Sequence, residues 1–394
     1  MGSFLPFLLL LFVLAAVLRV DFFFTIVYLF VGVYIFFRLW ADRAIDQLHV
    51  TRHFEDRAFL GDTVQVRLAI SNRGRLPLPW LMFNETLPAM LTTPPIYRRA
   101  ISLRGGERQE FTYMVQCRRR GYYPLGPLRL ESGDLLGLAG VRKARVEPAY
   151  LTVYPKVLPL RGLNLPTHSP QVVLPTVVPL FEDPARVQGV RDYVRGDSPR
   201  RIHWTATARV GRLLVKQYQP AIARETSLFL NLNRADYPRD RRYQGPELAI
   251  VTAASLASHI ISREKLPVGL VTDAYDPMAK ALTKFRLPAR KERAHLMAIL
   301  EILARVQSAD TPPFLDAVRR QAVHLSWGAT VVVITARESS DLFDTLLFLN
   351  RTGFQVTLVL VQSTPTDPAW RQGVEKLGVP VHRVWNERHL EEWS

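Results

Sequence analysis

The feature that most constrains this chain is a pair of apolar stretches within its first forty residues. Residues 4–18 contain no polar side chain, and residues 22–37 contain almost none. A bilayer span needs about 20 apolar residues, and flanking arginines lengthen a span by snorkelling. Because only a short break at Arg19 and Asp21 separates the stretches, residues 1–40 are predicted to form a transmembrane helical hairpin.

The charges that flank the second stretch predict its orientation. No basic residue precedes the first stretch, which argues against the alternative of a signal peptide. Four arginines follow the second stretch: Arg38, Arg43, Arg52 and Arg57. By the positive-inside rule, that side faces the cytoplasm. The soluble domains are therefore expected at the cytoplasmic face of the inner membrane, which agrees with a single free thiol, Cys117.

Composition limits the remaining possibilities. A length of 394 residues, 48% hydrophobic and 22% charged, suggests two or three folded domains. The net charge is +16, but only eight of the 51 basic residues are lysine. Because genome composition explains an arginine bias as readily as a polyanionic ligand does, no nucleic-acid partner is expected. Binding of anionic lipid or nucleic acid by the arginines is kept as a third hypothesis.

Residues 41–155 follow a period of two. Apolar side chains alternate with polar ones in two runs: Val64, Val66, Leu68 and Ile70, then Phe111, Tyr113, Val115 and Cys117. Turn residues separate these runs, and no segment has the length and period of a helix. The pattern predicts an antiparallel β-sandwich of immunoglobulin-like type.

Residues 156–225 form a connector, with a proline-rich linker followed by a segment dense in arginine. A helix is predicted from a cap at Asp197 or Ser198 through Pro199 to Gly211. The segment's candidate residues for partner binding or structure are Arg191, Arg195, Asp197, Arg200, Trp204 and Arg209. One interpretation makes the arginines a docking surface, and the other pairs them with aspartates, above all Arg191 with Asp197.

Residues 226–394 alternate strand and helix patterns, which predicts a mostly parallel sheet covered on both faces. Ligands of such sheets bind at the carboxyl ends of the strands. The polar residues expected at those ends are Asn231, Asn233, Asp236, Asp273, Asp276, Thr311, Thr335, Arg337 and Glu338. A hard cation such as Mg²⁺ needs oxygen ligands, and the nearest positions after the first strand hold amides rather than carboxylates. Polar strand ends without an ion are the alternative, and no cofactor is expected.

Catalytic sequence motifs are missing. The sequence contains no G-x-x-x-x-G-K-[ST] phosphate loop, no H-E-x-x-H, no C-x-x-C and no G-x-S-x-G. His203 has the chemistry of a base, but the sequence assigns it neither a nucleophile nor an orienting carboxylate. The chain is therefore not expected to be an enzyme.

Three segments and the order of elements after residue 225 resemble a known family. The segments are the apolar hairpin, the run 120–127 (RGYYPLGP) with DLLGL at 134–138, and the run 190–211 containing VRDY, RGD and W. Over nearly the whole chain this resembles domain of unknown function 58, a family of membrane-anchored proteins related to the von Willebrand factor A domain.

The resemblance implies a C-terminal domain with a von Willebrand A-like fold and a partnership with MoxR-type AAA+ ATPases in the assembly or maturation of other proteins. It does not imply an enzymatic activity. The metal-adhesion motif of von Willebrand A domains aligns with Asn231, Asn233 and Ala235 here, and Thr311 matches its threonine. The motif's later aspartate falls near Thr335 to Arg337, so these degenerate positions disfavour a metal.

Besides that third hypothesis, two functions are therefore considered. The first is a non-enzymatic, membrane-tethered protein-interaction module that works with a MoxR-type ATPase. The second is a divalent-metal-dependent binding protein or hydrolase that uses Asp236, Asp273 and Asp276 at the edge of the sheet.

Overall fold

The computed structural model describes residues 4–18, 21–92, 94–133, 141–160, 182–194, 197–220, 225–363 and 368–392. The chain divides into two compact units. One unit comprises residues 1–156 and 300–306, and the other comprises residues 157–299 and 307–394.

The first unit combines an N-terminal helix pair with a β-rich domain. Its helices and strands are α1 Phe4–Leu18, α2 Asp21–Asp46, β1 Leu48–His53, β2 Arg57–Phe59, β3 Thr63–Asn72, β4 Leu78–Thr86, β5 Ile96–Leu103, β6 Arg108–Gln116, β7 Gly121–Leu125, β8 Leu128–Ser132, β9 Arg142–Val146 and β10 Ala149–Tyr154.

The two N-terminal helices pack against each other as a hairpin, with the rings of Phe12 and Phe24 edge to face at 6.2 Å. Helix α2 has 26 residues and is long and apolar enough to cross a membrane, with only 6% of its apolar window buried. Helix α1 has 15 residues, or about 22 Å of helix, against a hydrocarbon core of about 30 Å. One candidate membrane helix is therefore confirmed, and a second span remains a prediction.

Helix α2 ends inside the β-domain. Ala44 and Ile45 in its last turn are buried, and Ala44 belongs to the same apolar core as Leu68 and Leu103. One turn earlier, the indole Nε1 of Trp40 donates a hydrogen bond of 2.9 Å to the carbonyl oxygen of Pro77. The helix and the domain therefore share side-chain packing and a hydrogen bond.

Two antiparallel sheets, β1–β3–β6 and β5–β4–β8–β9, face each other. Their shared core contains Leu68 and Ile70 from β3 and Phe83 and Leu130 from the opposite sheet. Strand β3 alternates buried and exposed side chains over most of its length, as its sequence pattern predicts. A third sheet, β2–β10–β7, contains one parallel pair, β10 with β2. Several antiparallel sheets are thus confirmed, and the immunoglobulin-like assignment stays a prediction.

A buried ion pair lies within this domain. Arg52 Nε donates to Glu85 Oε1 at 2.9 Å, and the two side chains are 7% and 0% exposed. Burial raises the pKa of Glu85 above its usual value even though the Arg52 guanidinium lowers it. Gly126, at φ +110°, leaves room for this arginine, because a Cβ there would lie 3.0 Å from Arg52 Nη2. This contact gives the glycine of the 120–127 run a structural role.

Arg120, in the same run, binds the carboxyl end of a helix. Nη1 of Arg120 lies 2.9–3.1 Å from the carbonyl oxygens of Leu303, Ala304 and Val306, within the short segment that groups with the first unit. The last carbonyls of a helix have no partner inside the helix and carry the negative end of its dipole. The guanidinium therefore satisfies and stabilises this helix end.

The second unit contains the remaining elements. They are β11 Glu182–Asp192, α3 Trp204–Val210, β12 Leu214–Pro220, β13 Thr226–Leu230, α4 Gln244–His259 with a π-helical turn Ile260–Glu264, β14 Val268–Asp276, β15 Ala281–Arg290, α5 Arg293–Arg305 (whose end groups with the first unit), α6 Phe314–Ala322, β16 Thr330–Thr335, α7 Ser340–Arg351, β17 Gln355–Val361, α8 Pro368–Lys376, β18 Val381–Val384 and α9 Arg388–Glu391.

Six strands form the central sheet in the order β15–β14–β13–β16–β17–β18. All neighbours are parallel except β15, which pairs antiparallel with β14. Helix α4 contacts β13, β16 and β17, and side chains of α6, α7 and α8 share a core with β16 and β17. Strand β16 is buried at every position, as its run of β-branched residues predicts. The mixed, mostly parallel sheet is confirmed, and the von Willebrand A assignment stays a prediction.

The connector differs from its prediction. Strand β11, which the sequence pattern did not predict, pairs antiparallel with β12. The predicted helix from Ser198 is wrong, because Pro199–Arg201 is a short 3₁₀ turn and Ile202 is extended and bridges to Val215. Helix α3 begins only at Trp204, and Gly211 ends it in the left-handed conformation as expected. Residues 161–181 of the predicted linker lie outside the described residues.

Candidate functional site

The strand order reverses beside β13, which lies between β14 and β16. Chain segments that leave the carboxyl ends of two such strands diverge and open a crevice. A pocket of about 410 Å³ lies at this point, between the loops that follow β13 and β16 and the first turns of α6 and α7. Its lining residues include Asn231, Asn233, Asp236, Phe314, Asp316, Arg319, Thr335, Arg337, Ser339 and Asp341.

Asn231 is the most connected polar residue of the pocket, and it is 2% exposed. Its amide nitrogen donates to Asp236 Oδ2 at 2.9 Å and to Thr335 Oγ1 at 3.0 Å. Its amide oxygen accepts the backbone N–H of Asn233 at 2.9 Å, and Tyr237 donates to its carbonyl oxygen. The side-chain oxygen of Asn231, the first predicted metal-ligand position, therefore already accepts a hydrogen bond within its own loop.

The neighbouring positions are used in the same way. The amide oxygen of Asn233 caps the short turn after it by accepting the N–H of Ala235 at 3.1 Å. Its amide nitrogen donates to the backbone carbonyl of Thr311 at 3.1 Å, so the structure brings these two predicted positions together. The contact uses the main chain of Thr311. Burial raises the pKa of Tyr237 just beyond this turn, and the charge of Asp236 raises it further.

A guanidinium lies beside the carboxylate of this pocket. Arg337 Nη1 approaches Asp236 Oδ1 at 3.3 Å, across the gap between the loops that follow β13 and β16. A hard cation prefers several carboxylate oxygens, whereas the loop after β13 offers amides whose oxygens are already used and one carboxylate beside an arginine. The other two carboxylates of the pocket, Asp316 and Asp341, lie in the first turns of α6 and α7. The predicted metal positions of this loop therefore do not fit a divalent metal.

The other two carboxylates of the metal hypothesis do not line the pocket. Asp273 pairs with Arg286 at 2.5 Å, and Asp276 is buried and accepts the N–H of Met278. Over the residues described, no group of three or more His, Cys, Asp or Glu side chains could hold a metal ion. Glu338 is also buried elsewhere, against Arg383 and Ser363.

The connector contains the second candidate surface, and its predicted ion pair is present. Arg191 binds Asp197 through two hydrogen bonds of 2.6 and 2.7 Å. The Asp197 carboxylate also accepts the backbone N–H of Val194 at 2.9 Å. These bonds, from Arg191 first, lower the pKa of Asp197 to about 2. The pair thus closes the loop between β11 and the 3₁₀ turn, which is the structural interpretation for this arginine.

The remaining connector residues face outward. Trp204 is 66% exposed, and Arg200 and Arg209 are exposed as well. Arg195 lies outside the described residues. His203, the candidate base, caps α3 by accepting the N–H of Ala206 through Nδ1 at 3.2 Å, so its ring serves the helix end.

The residues that α6 and α7 contribute to the pocket were not predicted from the sequence. Arg319 on α6 donates to Thr345 Oγ1 at 3.0 Å, and Asp316 and Asp341 also line the pocket. These residues come from helices whose pattern indicates only an apolar face. Their contribution to the pocket depends on where α6 and α7 pack, and no local sequence motif marks them.

The chain was compared with known proteins. No curated protein matches it. Similar solved structures include an aerotolerance-related membrane protein from Bacteroides fragilis, at 17% identity over 42% of this chain and 92% of that chain, with a TM-score of 0.28. The CARDB domain of a Pyrococcus furiosus protein is 14% identical over 27% of this chain and 86% of that chain, with a TM-score of 0.20. Scores this low carry no argument about fold or function.

A family model matches part of the chain. It covers residues 189–362, from the connector strand β11 to the loop after β17. This range contains the Arg191–Asp197 pair, Trp204 and both asparagines of the pocket. Residues 189–362 of the chain therefore match the family described as protein of unknown function DUF58.

Proposed function

We propose that this protein is a non-enzymatic, membrane-tethered docking module that works with a MoxR-type AAA+ ATPase in the assembly or maturation of other proteins. The soluble domains lie on the cytoplasmic side of the inner membrane, because arginines follow the second apolar stretch. Helix α2 supplies the anchor, and the connector supplies the docking surface.

The exposed connector tryptophan is the observation that carries the proposal. Trp204 is 66% exposed, and Val194, Val210 and Leu213 nearby in the chain are exposed as well. Arg200 and Arg209 are exposed in the same segment, and each is a long cation near these residues in the chain. Tryptophan and arginine are the residues that most often dominate binding energy at protein interfaces. An acidic partner surface with an apolar pocket fits this composition.

The sheet edge supports the non-enzymatic part of the proposal. Its asparagines are bonded within their own loops, and Asp236, one of three carboxylates that line the pocket, is held by Asn231 and faces Arg337. The side chain that most often serves as a general base is histidine. The pocket has no histidine or cysteine among its lining residues.

A binding assay with the purified ATPase tests the docking surface. The full-length chain in detergent is the right sample, because α2 contributes Ala44 and Ile45 to the core and cannot be cut away. We expect the ATPase to bind the wild-type chain in the presence of ATP and to bind Trp204→Ala at least tenfold more weakly, as for an interface hot spot. Tyr243→Ala removes another exposed aromatic side chain and should bind like the wild type. Equal binding by all three proteins would exclude the connector as the docking surface.

Calorimetry tests the alternative of a metal-dependent protein. Titration of the full-length chain with Mg²⁺ or Mn²⁺ should give no binding heat at millimolar ion. Binding that disappears in an Asp236→Asn variant would favour the alternative and contradict the proposal.

A further inference from the structure

Two loops of the β-domain lie beside the point where α2 reaches the domain. The first loop joins β3 to β4 and carries Arg73 and Arg75, and the second joins β5 to β6 and carries Arg104. All three arginine side chains are exposed. We call these three residues the arginine collar.

Hydrogen bonds fix the first loop to α2. Besides the bond from Trp40 to the carbonyl of Pro77, the backbone N–H of Arg73 donates to the carbonyl of Gln47, just after the helix, at 3.0 Å. The loop is therefore held at two points along the last turns of α2. A collar arginine cannot move away from the helix by rigid motion of its loop.

A buried asparagine fixes the second loop to the first. Asn72 is 1% exposed, and its amide nitrogen donates to the carbonyls of Leu76 at 2.8 Å and Arg104 at 3.2 Å. Its amide oxygen accepts the N–H of Gly74 at 3.0 Å. The two loops therefore form one preorganised platform, with the arginine side chains projecting from it.

The length of α2 sets the depth of this platform. The apolar part from Phe22 to Trp40 spans about 27 Å of helix, close to the hydrocarbon thickness of about 30 Å. Tryptophan favours the level of the headgroups. Because Pro77 contacts Trp40, the loop that carries Arg73 and Arg75 lies at that level when α2 spans the bilayer.

The platform carries more positive than negative charge. Among the described residues, no carboxylate forms an ion pair with a collar arginine. The acid of the second loop, Glu107, accepts the backbone N–H of Arg104 and the amide of Gln109, and these bonds together with the charge of Arg104 lower its pKa. Arg38 and Arg43 on α2 add exposed positive charge at the same end, and the exposed Asp46 offsets part of it. The remaining excess of guanidinium groups at headgroup depth attracts phosphate groups.

We propose that the arginine collar binds the anionic headgroups of the leaflet from which α2 emerges. The collar would hold the β-domain against the bilayer surface in one orientation and select acidic lipids around the anchor. The inference rests on the membrane anchor of the proposed function.

Lipid analysis of the full-length chain tests this inference. The chain is reconstituted in vesicles of phosphatidylcholine and phosphatidylglycerol, extracted with its surrounding lipid in a detergent-free polymer, and the bound lipids are counted. We expect phosphatidylglycerol to be enriched around the wild-type chain, and enrichment to fall roughly fivefold for each arginine removed in Arg73→Gln/Arg75→Gln. Enrichment should also weaken as salt is raised.

The matched control is Arg118→Gln/Arg119→Gln. These two arginines are exposed and lie beyond the opposite end of β6, since Ser71 pairs with Arg108 and Thr63 with Gln116. The control variant should enrich phosphatidylglycerol like the wild type. No enrichment by the wild type, or an equal loss in both variants, would overturn the inference.

Two other outcomes have distinct meanings. If the full-length chain fails to enter vesicles at all, the membrane anchor itself is wrong, and the proposed function fails with it. If lipid enrichment is absent while the ATPase binds Arg73→Gln/Arg75→Gln more weakly than the wild type, the collar serves a protein, and the lipid proposal is overturned.

Discussion

Exposed arginines occur in both the connector and the collar, and the two regions use them differently. In the connector, Arg191 and Arg212 each pair with an aspartate, at 2.6 and 3.3 Å. In the collar, the side chain of Asn72 and the backbone of the loops make the structural bonds, and the guanidinium groups are exposed. A paired arginine holds a loop closed, whereas an unpaired arginine on a fixed loop keeps its charge available for a ligand. Arginine density alone does not distinguish the two cases.

The comparison implies that an arginine contributes more to stability when the carboxylate with which it pairs is more deeply buried. Arg52 is the extreme case, because its partner Glu85 is fully buried. We expect Arg52→Met to destabilise the first unit by about 3–5 kcal/mol, since it leaves an uncompensated charge in the core. This loss of stability should shrink below pH ~4.5. The pKa of Glu85 is raised in the folded state, so burying its charge costs stability only above the unfolded pKa. The cost vanishes once the carboxylate is protonated.

Pulse labelling of the single cysteine measures this loss in the first unit alone. Cys117 is buried, and burial raises the pKa of its thiol to about 11, so it should react with a thiol reagent only when the unit opens. Labelling of Arg52→Met at wild-type denaturant concentrations would contradict the predicted destabilisation.

Removal of Arg191 should have a smaller and local effect. In Arg191→Ala, the Asp197 carboxylate keeps only its bond from Val194, so hydrogen exchange at the Val194 amide should accelerate while Cys117 stays protected. Arg212→Ala removes a longer, more exposed pair and is the control, with a weaker effect expected. Unchanged exchange at Val194 would show that the pair does not hold the loop.

The same loop should tolerate acid. Because the folded-state pKa of Asp197 is lowered to about 2, its stabilising contribution is complete above the unfolded pKa of 3.8 and is lost only as the pH falls through about 2. Exchange at Val194, corrected for the intrinsic rate, should therefore stay slow at pH 3. Opening of this loop at pH 4 would contradict the low pKa.

The smallest effect is expected for the collar. Arg75→Gln and Arg104→Gln should change the stability of the first unit by no more than about 0.5 kcal/mol, because their exposed side chains make no ion pair with a described residue and the loops are held by the Asn72 side chain and by backbone groups. Thermal unfolding followed by cysteine labelling measures this. A large loss would mean that the collar arginines are structural, like those of the connector.

Local patterns in the sequence predict some of these features and miss others for physical reasons. The alternation of β3, the buried run of β16 and the pairing of Arg191 with Asp197 are short-range, and each was predictable. Strand β11 was not, because Pro184 and Gly189 interrupt its pattern and its pairing with β12 shifts register around Val187.

The pocket shows the same limit. The positions of Asn231, Asn233 and Asp236 follow from the end of a strand, but the approach of Arg337 to Asp236 joins residues about a hundred positions apart. The use of each amide oxygen within its own loop depends on backbone geometry that residue types do not specify. Sequence reasoning could therefore name these polar residues, but it could not decide which atoms remain available.

The burial of Ala44 and Ile45 has a consequence for biogenesis. The β-rich domain cannot complete its core until the final turn of α2 has formed and docked, so folding of α2 and maturation of the domain are coupled steps. A chain in which this turn fails to dock would keep part of the apolar core exposed to solvent and to the cell's proteases. Quality control of this protein would then depend on α2 before any partner is bound.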